Sequence, residues 1–189
     1  HETNLLQGKR HFGHEIAAIR AVQNAAFHTA PEDVQIPEST PREPKNLYEA
    51  RGAYCGDRAR FIDKALRAAG MQTRYASLYS KEPGMGFIER MLTRRGEGID
   101  SHALVEVKTA QGWLVVDTRK KWISLRPDNT PMSLREIQTA PDKRALQWSD
   151  INEEGMYFLL EDDFYILYGL YSRHGLFYAF DYDQMKAFD

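Results

Sequence analysis

The chain has a single cysteine among its 189 residues, and this scarcity excludes two kinds of site. One cysteine cannot close an internal disulfide, and it cannot supply the cysteine-rich ligand set of a structural zinc site. The redox state of the protein's surroundings is therefore not indicated. The sequence also begins with His1 rather than methionine, which leaves room for a preceding segment, so we make no prediction of localisation.

Long apolar runs and a strong net charge are also missing. The longest apolar stretches, residues 156–160 and 164–170, fall well short of the roughly 20 residues that cross a bilayer. The formal net charge of −2 provides no basic footprint for nucleic acid or for an anionic membrane. We expect a soluble protein with no membrane span and no nucleic-acid partner. The oligomeric state is not predicted.

The length and composition are typical of one globular domain. A chain of 189 residues that is 42% hydrophobic can bury a core without disulfides or metals. Residues 29–45 contain four prolines, which break helices and central strands alike. We interpret this stretch as an extended surface connection within a single domain of residues 1–189.

Helical patterns dominate the first seventy residues. Residues 15–27 place apolar side chains at helical spacing, and residues 46–51 predict a short helical turn. A stronger helix follows Cys55 and ends at Gly70, because apolar residues recur there at i, i+3 and i+4. These are Phe61, Ile62, Ala65, Leu66 and Ala69. The intervening Arg58, Asp63, Lys64 and Arg67 are expected to lie mostly on the solvent side.

Strand patterns follow Gly70. Residues 73–79 predict a strand, and residues 102–122 predict two more, joined by a turn near Thr109 to Gly112. Residues 142–148 are weakly helical, and the aromatic-rich residues 156–180 favour strands with a turn at 172–175. The long stretch 81–100, with a helical turn at 87–92, is either a lid or an insertion without a catalytic part. The order of elements predicts an α+β fold with an antiparallel sheet.

Cys55 lies where a loop becomes the strongest predicted helix. A helix start carries partial positive charge and unpaired N–H groups, which lower the pKa of a thiol and raise its reactivity. Taken alone, a lone cysteine is more often a small buried hydrophobe. A nucleophilic role needs a base, and the predicted hairpin offers one.

His102 and Asp117 occupy the two strands of that hairpin. If its loop holds an even number of residues, both side chains point to the same side, directly opposite or one diagonal apart. An odd loop or a bulge places them on opposite faces. A carboxylate beside an imidazole orients the ring and favours a thiolate–imidazolium pair with Cys55. Taken alone, His102 would be interpreted as a hydrogen-bonded strand histidine and Asp117 as a solvated carboxylate at a strand end.

Three sequence blocks together resemble the transglutaminase-like superfamily. These blocks are GAYCGDRARFIDKALRAAG, the TRYASLY strand and SHALVEVKTAQGWLVVDTR. The resemblance covers residues 47–122, and residues 123–189 form an aromatic-rich C-terminal part of the same domain that matches no pattern. It implies a papain-like fold in which the cysteine-bearing helix packs on an antiparallel sheet.

The resemblance also implies roles for site residues. Cys55 would be the nucleophile, His102 the general base and acid, and Asp117 the residue that orients His102. The implied reaction forms a thioester from an amide or peptide carbonyl and passes the acyl group to water or an amine, with no cofactor and no metal. The substrate would be a peptide, a protein or another amide-bearing molecule, and hydrolysis is slightly preferred. The backbone N–H of Cys55 would be one oxyanion donor, and the candidates for a second are Tyr54, Asn46 and Tyr48.

The roles of several other residues have more than one interpretation. Trp113, Trp122 and His174 are candidates for a substrate groove, although core packing or an ordinary turn explains each of them as well. His11 and His14 have the spacing of metal ligands on a helix, but no third ligand is evident, so we predict no metal site. The alternative to an enzyme is a catalytically silent domain that binds a peptide or polysaccharide partner.

Overall fold

The computed structural model describes residues 11–37, 40–81, 84, 101–149, 160, 162–169, 171–173 and 176–178. Its helices are α1 (Phe12–Thr29), α2 (Pro44–Ala50), α3 (Cys55–Ala68) and α4 (Leu134–Thr139). Its strands are β1 (Gln72–Ser80), β2 (Ser101–Thr109), β3 (Gly112–Val116), β4 (Phe164–Tyr168), β5 (Tyr171–Arg173) and β6 (Leu176–Tyr178). The predicted α+β class with an antiparallel sheet is confirmed.

Helix α3 begins and ends at the positions that its sequence predicts. Cys55 is its first residue, and the Asp57 carboxylate accepts a hydrogen bond from the backbone N–H of Tyr54, the N-cap residue, at 3.2 Å. Gly70, just past the helix, has φ of +74°, a left-handed conformation that favours glycine at a helix end. The bounds of α3 therefore follow from local signals at both ends.

The prediction that the polar residues of α3 face solvent is wrong for two of them. The exposed fraction of Arg58 is 2%, and that of Asp63 is 0%. Asp63 accepts hydrogen bonds from Arg67 and from the Thr73 hydroxyl. Residues 30–33 cover Arg58, and Thr73 of β1 contacts Asp63, so each charged side chain is buried with its own partners.

The main sheet has the strand order β3–β2–β1–β4, and all its pairs are antiparallel. Strands β2 and β3 are joined by the two residues Ala110 and Gln111, with Thr109 paired to Gly112. This even loop satisfies the condition under which His102 and Asp117 share a side. The pairing of β2 with β3 stops at Val105 and Val116. Asp117 lies one residue beyond this last pair, and His102 lies three residues beyond it.

Apolar side chains cover both faces of the sheet. On one face, α1 and α3 pack against alternate residues of β2 and β3, including Val105, Val107 and Leu114. On the other face, α4 packs with Trp122 and Phe164 over residues such as Leu104 and Val115. This alternation is that of a sheet buried on both sides.

The C-terminal third differs from the sequence prediction in its helices. Helix α4 was not predicted, although Ser133 and Glu136 form a capping box at its start. Residues 142–148, predicted as weakly helical, contain no helix. Strand β4 pairs with β1, and β5 pairs with β6 as a hairpin whose connection falls within the predicted 172–175 turn. The predicted helical turn at 87–92 and residues 156–159 lie outside the described residues.

Within the described residues, no helix combines the length and the apolar character needed to cross a bilayer.

Candidate active site

Cys55 lies at the start of α3, next to the open end of the β2–β3 hairpin. Its side chain is partly exposed, and the thiol contacts the His102 side chain and the backbone N–H of Ala103. The first N–H groups of a helix have no partner within the helix, so their partial positive charge also faces the thiol. This position favours a negatively charged sulfur.

His102 and Asp117 form a buried pair beside the thiol. The exposed fractions of the two residues are 1% and 0%, and His102 Nε2 lies 3.2 Å from Asp117 Oδ1. The register places Asp117 one diagonal from His102. Because the carboxylate accepts a hydrogen bond, Nε2 is the protonated nitrogen of the pair. The other nitrogen of the imidazole, Nδ1, is therefore the one that can exchange a proton with the Cys55 thiol.

Backbone donors stabilise the charged form of Asp117. Oδ1 accepts hydrogen bonds from the N–H groups of Arg119 at 2.6 Å and Lys120 at 3.0 Å. Burial raises the pKa of the Asp117 carboxyl, but the charge and hydrogen bond of His102 and these two N–H groups outweigh burial. The pKa of Asp117 therefore lies below its ordinary value.

The pKa values of His102 and Cys55 shift in opposite directions. Burial alone would lower the pKa of His102, but the Asp117 charge and hydrogen bond, together with Cys55, raise it from 6.5 to about 9. Burial raises the pKa of the Cys55 thiol. The hydrogen bond and charge of His102, the Ala103 N–H and the Arg119 charge together outweigh burial, so the pKa of Cys55 lies below its ordinary value. These shifts favour a thiolate–imidazolium pair near neutral pH.

Gln23 is a site-supporting residue that the sequence analysis missed. It lies on α1 with an exposed fraction of 2%, and its Nε2 donates to the carbonyl oxygens of Asp117 at 2.9 Å and Trp122 at 2.8 Å. A third, longer contact of 3.4 Å reaches the carbonyl of Lys120. The sequence signal for Gln23 is its position on the apolar face of α1, four residues after Ile19. A polar side chain there needs buried partners.

Arg58 of α3 joins the segment after β3 to residues 30–33. Its guanidinium donates to the carbonyls of Ala30 at 2.8 Å and Glu32 at 2.9 Å, and it pairs with Asp33 at 2.6 Å. A longer contact of 3.3 Å joins it to the carbonyl of Thr118, the residue after Asp117. Arg58 follows Cys55 by one helical turn, so it ties the start of α3 to the segment that bears Asp117.

The structure places the oxyanion candidates Asn46 and Tyr48 on α2 and Tyr54 at the N-cap of α3. The exposed fractions of Tyr48 and Tyr54 are 56% and 41%, and Asn46 is partly buried. The backbone N–H of Tyr54 already donates to Asp57, so only the hydroxyl of Tyr54 remains as a donor from that residue. The assignment of a second donor to one of the three stays a prediction.

The three groove candidates differ in their surroundings. The Trp122 side chain is 2% exposed and packs edge-on against Trp148, with ring centroids 4.9 Å apart, which agrees with the core-packing interpretation of this residue. Trp113 is four strand residues from Asp117, about 13 Å along the strand, and the Arg74 guanidinium lies over its ring at 4.1 Å. His174 lies outside the described residues.

The described residues contain no group of three or more His, Cys, Asp or Glu side chains placed to hold a metal ion. The rings of His11 and His14 have centroids 5.6 Å apart. The neighbouring Glu15 accepts a hydrogen bond from the backbone N–H of Ala110 at 2.8 Å, which attaches α1 to the hairpin turn. This glutamate therefore has a structural partner.

Comparisons with known proteins identify the family. A search of curated proteins and a search of solved structures each returned no match. The family model of the transglutaminase-like superfamily matches residues 7–118, more than half of the chain. The matched segment runs from α1 through β3 and includes Cys55, His102 and Asp117. This chain therefore belongs to the transglutaminase-like superfamily, whose members typically carry out cysteine-dependent acyl chemistry.

Proposed function

We propose that the protein is an enzyme that cleaves or transfers the acyl group of an amide or peptide through a thioester. Cys55 is the nucleophile, His102 is the general base and acid, and Asp117 orients His102 and stabilises its charged form. The observation that carries the proposal is the contact chain from Asp117 through the buried His102 to a thiol at a helix start. Nucleophile, base and orienting group in this order are the recurring arrangement of covalent catalysis.

The first half-reaction forms the thioester. The Cys55 thiolate attacks the carbonyl carbon, a C–S bond forms, and the carbonyl oxygen becomes an oxyanion. The C–N bond then breaks while the His102 imidazolium gives its proton to the leaving amine. Asp117 keeps its charge throughout, because it accepts one hydrogen bond from His102 and two from backbone N–H groups.

The second half-reaction releases the acyl group. Neutral His102 takes a proton from water or from an incoming amine, which attacks the thioester carbonyl, and the C–S bond breaks to restore the thiolate. The oxyanion in both steps would lie near the backbone N–H of Cys55, with a second donor among the three candidates named above. We slightly favour water over an amine as the acceptor.

Alkylation by iodoacetamide tests the nucleophile directly, because Cys55 is the only cysteine in the sequence. The rate for an ordinary thiol falls about tenfold for each pH unit below a pKa near 8.5. We expect the Cys55 rate to stay nearly constant from pH 8 down to its lowered pKa, and then to fall. A profile that titrates as for an ordinary thiol would contradict the proposal and favour a silent binding domain.

Activity is then measured on unfolded casein with and without a fluorescent primary amine. Mass spectrometry detects peptide cleavage or deamidation, and fluorescence detects acyl transfer to the amine. Cys55→Ala should abolish both products. Lys45→Gln is the surface control, because the Lys45 side chain is 83% exposed and pairs with Glu49, and Tyr48→Phe is a separate variant that tests one oxyanion candidate. Products that persist in Cys55→Ala would exclude a cysteine nucleophile.

A further inference from the structure

The backbone pairing of β2 with β3 ends just before the candidate active site. The last paired residues are Val105 and Val116. The N–H of Asp117 donates away from β2, to a carbonyl of the segment that follows β3. Because the backbone groups of successive strand residues point to opposite sides, those of Val116 and Thr118 point towards β2. The continued register would therefore pair Thr118 with Ala103 through backbone hydrogen bonds.

Other partners take up the groups that the end of this pairing frees. The Thr118 hydroxyl donates to the Ala103 carbonyl, where a backbone N–H would otherwise donate. The Ala103 N–H donates to the Cys55 sulfur, and the Thr118 carbonyl accepts a longer contact of 3.3 Å from Arg58. The exposed fraction is 0% for Thr118 and 8% for Ala103, so these buried polar groups need such partners.

The Thr118 hydroxyl holds Ala103 in the orientation that serves the thiol. In an extended strand, the N–H and the C=O of one residue point to the same side. A donor fixed on the Ala103 carbonyl therefore also fixes the direction of the Ala103 N–H. Thr118 is itself held in place, because the carbonyl of the preceding Asp117 accepts a hydrogen bond from Gln23 at 2.9 Å. A carbonyl that loses its donor turns towards another one, and the N–H turns with it.

We propose that Thr118 is a positioning residue of the candidate active site, whose hydroxyl directs the Ala103 N–H at the Cys55 thiolate. The inference rests on the proposed function and adds a residue that stabilises its nucleophile. A hydrogen bond to the charged form of a group favours that form. Burial raises the pKa of Cys55, whereas the hydrogen bond and charge of His102, the Ala103 N–H and the Arg119 charge lower it. The Ala103 N–H is thus one of the contacts that keep the sulfur ionised.

Thr118→Val tests the proposal, because valine has a similar shape and no hydroxyl, and Thr118→Ser restores the hydroxyl. The pH profile of iodoacetamide alkylation gives the pKa of Cys55 in each variant. We expect Thr118→Val to raise this pKa by roughly half a unit to one unit, because the thiolate loses a hydrogen bond. Alkylation below the wild-type pKa should slow about three- to tenfold, and Thr118→Ser should react as the wild type does. The Thr118 variants leave unchanged the charged groups around the start of α3, which include Asp57, Arg58, His102 and Arg119.

Thr109→Val is the matched control at the other end of the same hairpin. The Thr109 hydroxyl donates to the Gly112 carbonyl at 2.8 Å, and Thr109 is buried. This variant removes the same kind of contact without touching Ala103, so it should leave the pKa of Cys55 unchanged. An equal rise of that pKa in Thr109→Val and Thr118→Val would overturn the proposal, because it would reflect a general loosening of the hairpin.

NMR titration of the His102 ring shows through which residue Thr118 acts. Thr118→Val keeps the contact between Asp117 and His102, so the pKa of His102 should stay near its raised value of about 9. A fall of this pKa towards 6.5 would show that the hydroxyl acts by placing Asp117, and it would overturn the proposal. An unchanged pKa of Cys55 in folded Thr118→Val would overturn it as well.

The Ala103 amide proton separates this proposal from the proposed function, and its measurement in the wild type does not depend on the folding of any variant. Its chemical shift should follow the ionisation of Cys55, and this change should shrink in Thr118→Val. If Cys55 titrates as an ordinary thiol but the Ala103 shift still follows it and depends on Thr118, the catalytic proposal fails and the role of Thr118 stands. If the pKa of Cys55 is lowered but the Ala103 shift does not follow its ionisation, only the Thr118 proposal fails.

Discussion

Asp117→Asn tests how the His102 charge is stabilised, because it removes a charge and keeps the shape of the side chain. Asp117 Oδ1 lies 3.2 Å from His102 Nε2 and accepts hydrogen bonds from the N–H groups of Arg119 and Lys120. An amide oxygen in the same place accepts the same three hydrogen bonds. The variant therefore changes the electrostatics of the pair more than its geometry.

The size of the effect follows from the pKa of His102. That pKa is about 9, against an ordinary value of 6.5, and the Asp117 charge is the largest cause that raises it. The difference corresponds to a factor of roughly 300, or about 3 kcal/mol. Because burial alone lowers the pKa, we expect His102 in Asp117→Asn to titrate at or below 6.5. The equilibrium for proton transfer from Cys55 to His102 should weaken by a factor on the order of 10².

The same substitution also has a cost in stability. Asp117 Oδ2 is buried and has no hydrogen-bond partner among the described residues. An amide nitrogen in that place becomes a buried donor without an acceptor, which costs about 1–3 kcal/mol. Urea unfolding should show a loss of this size, with a cooperative transition that establishes that the variant is folded.

NMR titration of the His102 ring and the pH profile of iodoacetamide alkylation are the two assays. We expect a His102 pKa at or below 6.5 and an alkylation rate at pH 7 that falls by at least tenfold. Asp128→Asn is the control, because it removes an exposed carboxylate whose hydrogen-bond partner is Thr130 and not a residue of the candidate site. A His102 pKa that stays near 9 in folded Asp117→Asn would refute the reasoning.

The remaining predictions concern stability. Cys55→Ala removes the contribution of Cys55 to the His102 pKa but keeps that of Asp117, the larger cause that raises it. The protonated His102 of this variant therefore contributes stability that is complete below pH 6.5 and is lost as the pH rises through its raised pKa. Urea titrations at several pH values measure this, and a flat profile would contradict it. Gln23→Leu should cost about 2 kcal/mol, because buried carbonyls lose their donor. Arg58→Met should cost about 3 kcal/mol for the same reason; an unchanged urea midpoint in either variant would show that water replaces the lost bonds.

The elements that the sequence predicts well are those with strong local signals. The apolar spacing of α3 and the glycine at its end predict that helix to within a residue or two. The alternation in β2 and β3 predicts the hairpin, and an even loop is the condition under which His102 and Asp117 share a side; the two-residue loop of the structure meets it. The sequence leaves the loop length open, so this pairing is predicted only conditionally, and Cys55 joins it through its helix start and the resemblance rather than through alternation. Helix α4 had a comparable signal in Ser133 and Glu136, but its six residues carry too little apolar periodicity.

The features that the sequence did not predict depend on contacts between distant segments. Amphipathic spacing predicts one buried face for α3, but Arg58 is buried because residues 30–33 cover the other side of the helix. A cavity lined by Asn24, Arg51 and Arg119 likewise combines residues from α1, the end of α2 and the segment after β3. Nothing in the local pattern of any of these segments indicates its neighbours in space, so neither feature follows from periodicity.

The segment 117–121 links the reactivity of Cys55 to the packing of two helices. Gln23 holds the Asp117 and Trp122 carbonyls from α1, and Arg58 contacts the Thr118 carbonyl from α3. The two helices therefore fix the position of Asp117, which sets the pKa of His102. They equally fix the backbone of Arg119, whose N–H donates to Asp117. A change in how α1 packs on the sheet should thus alter the pKa of His102 and, through it, the reactivity of the thiol.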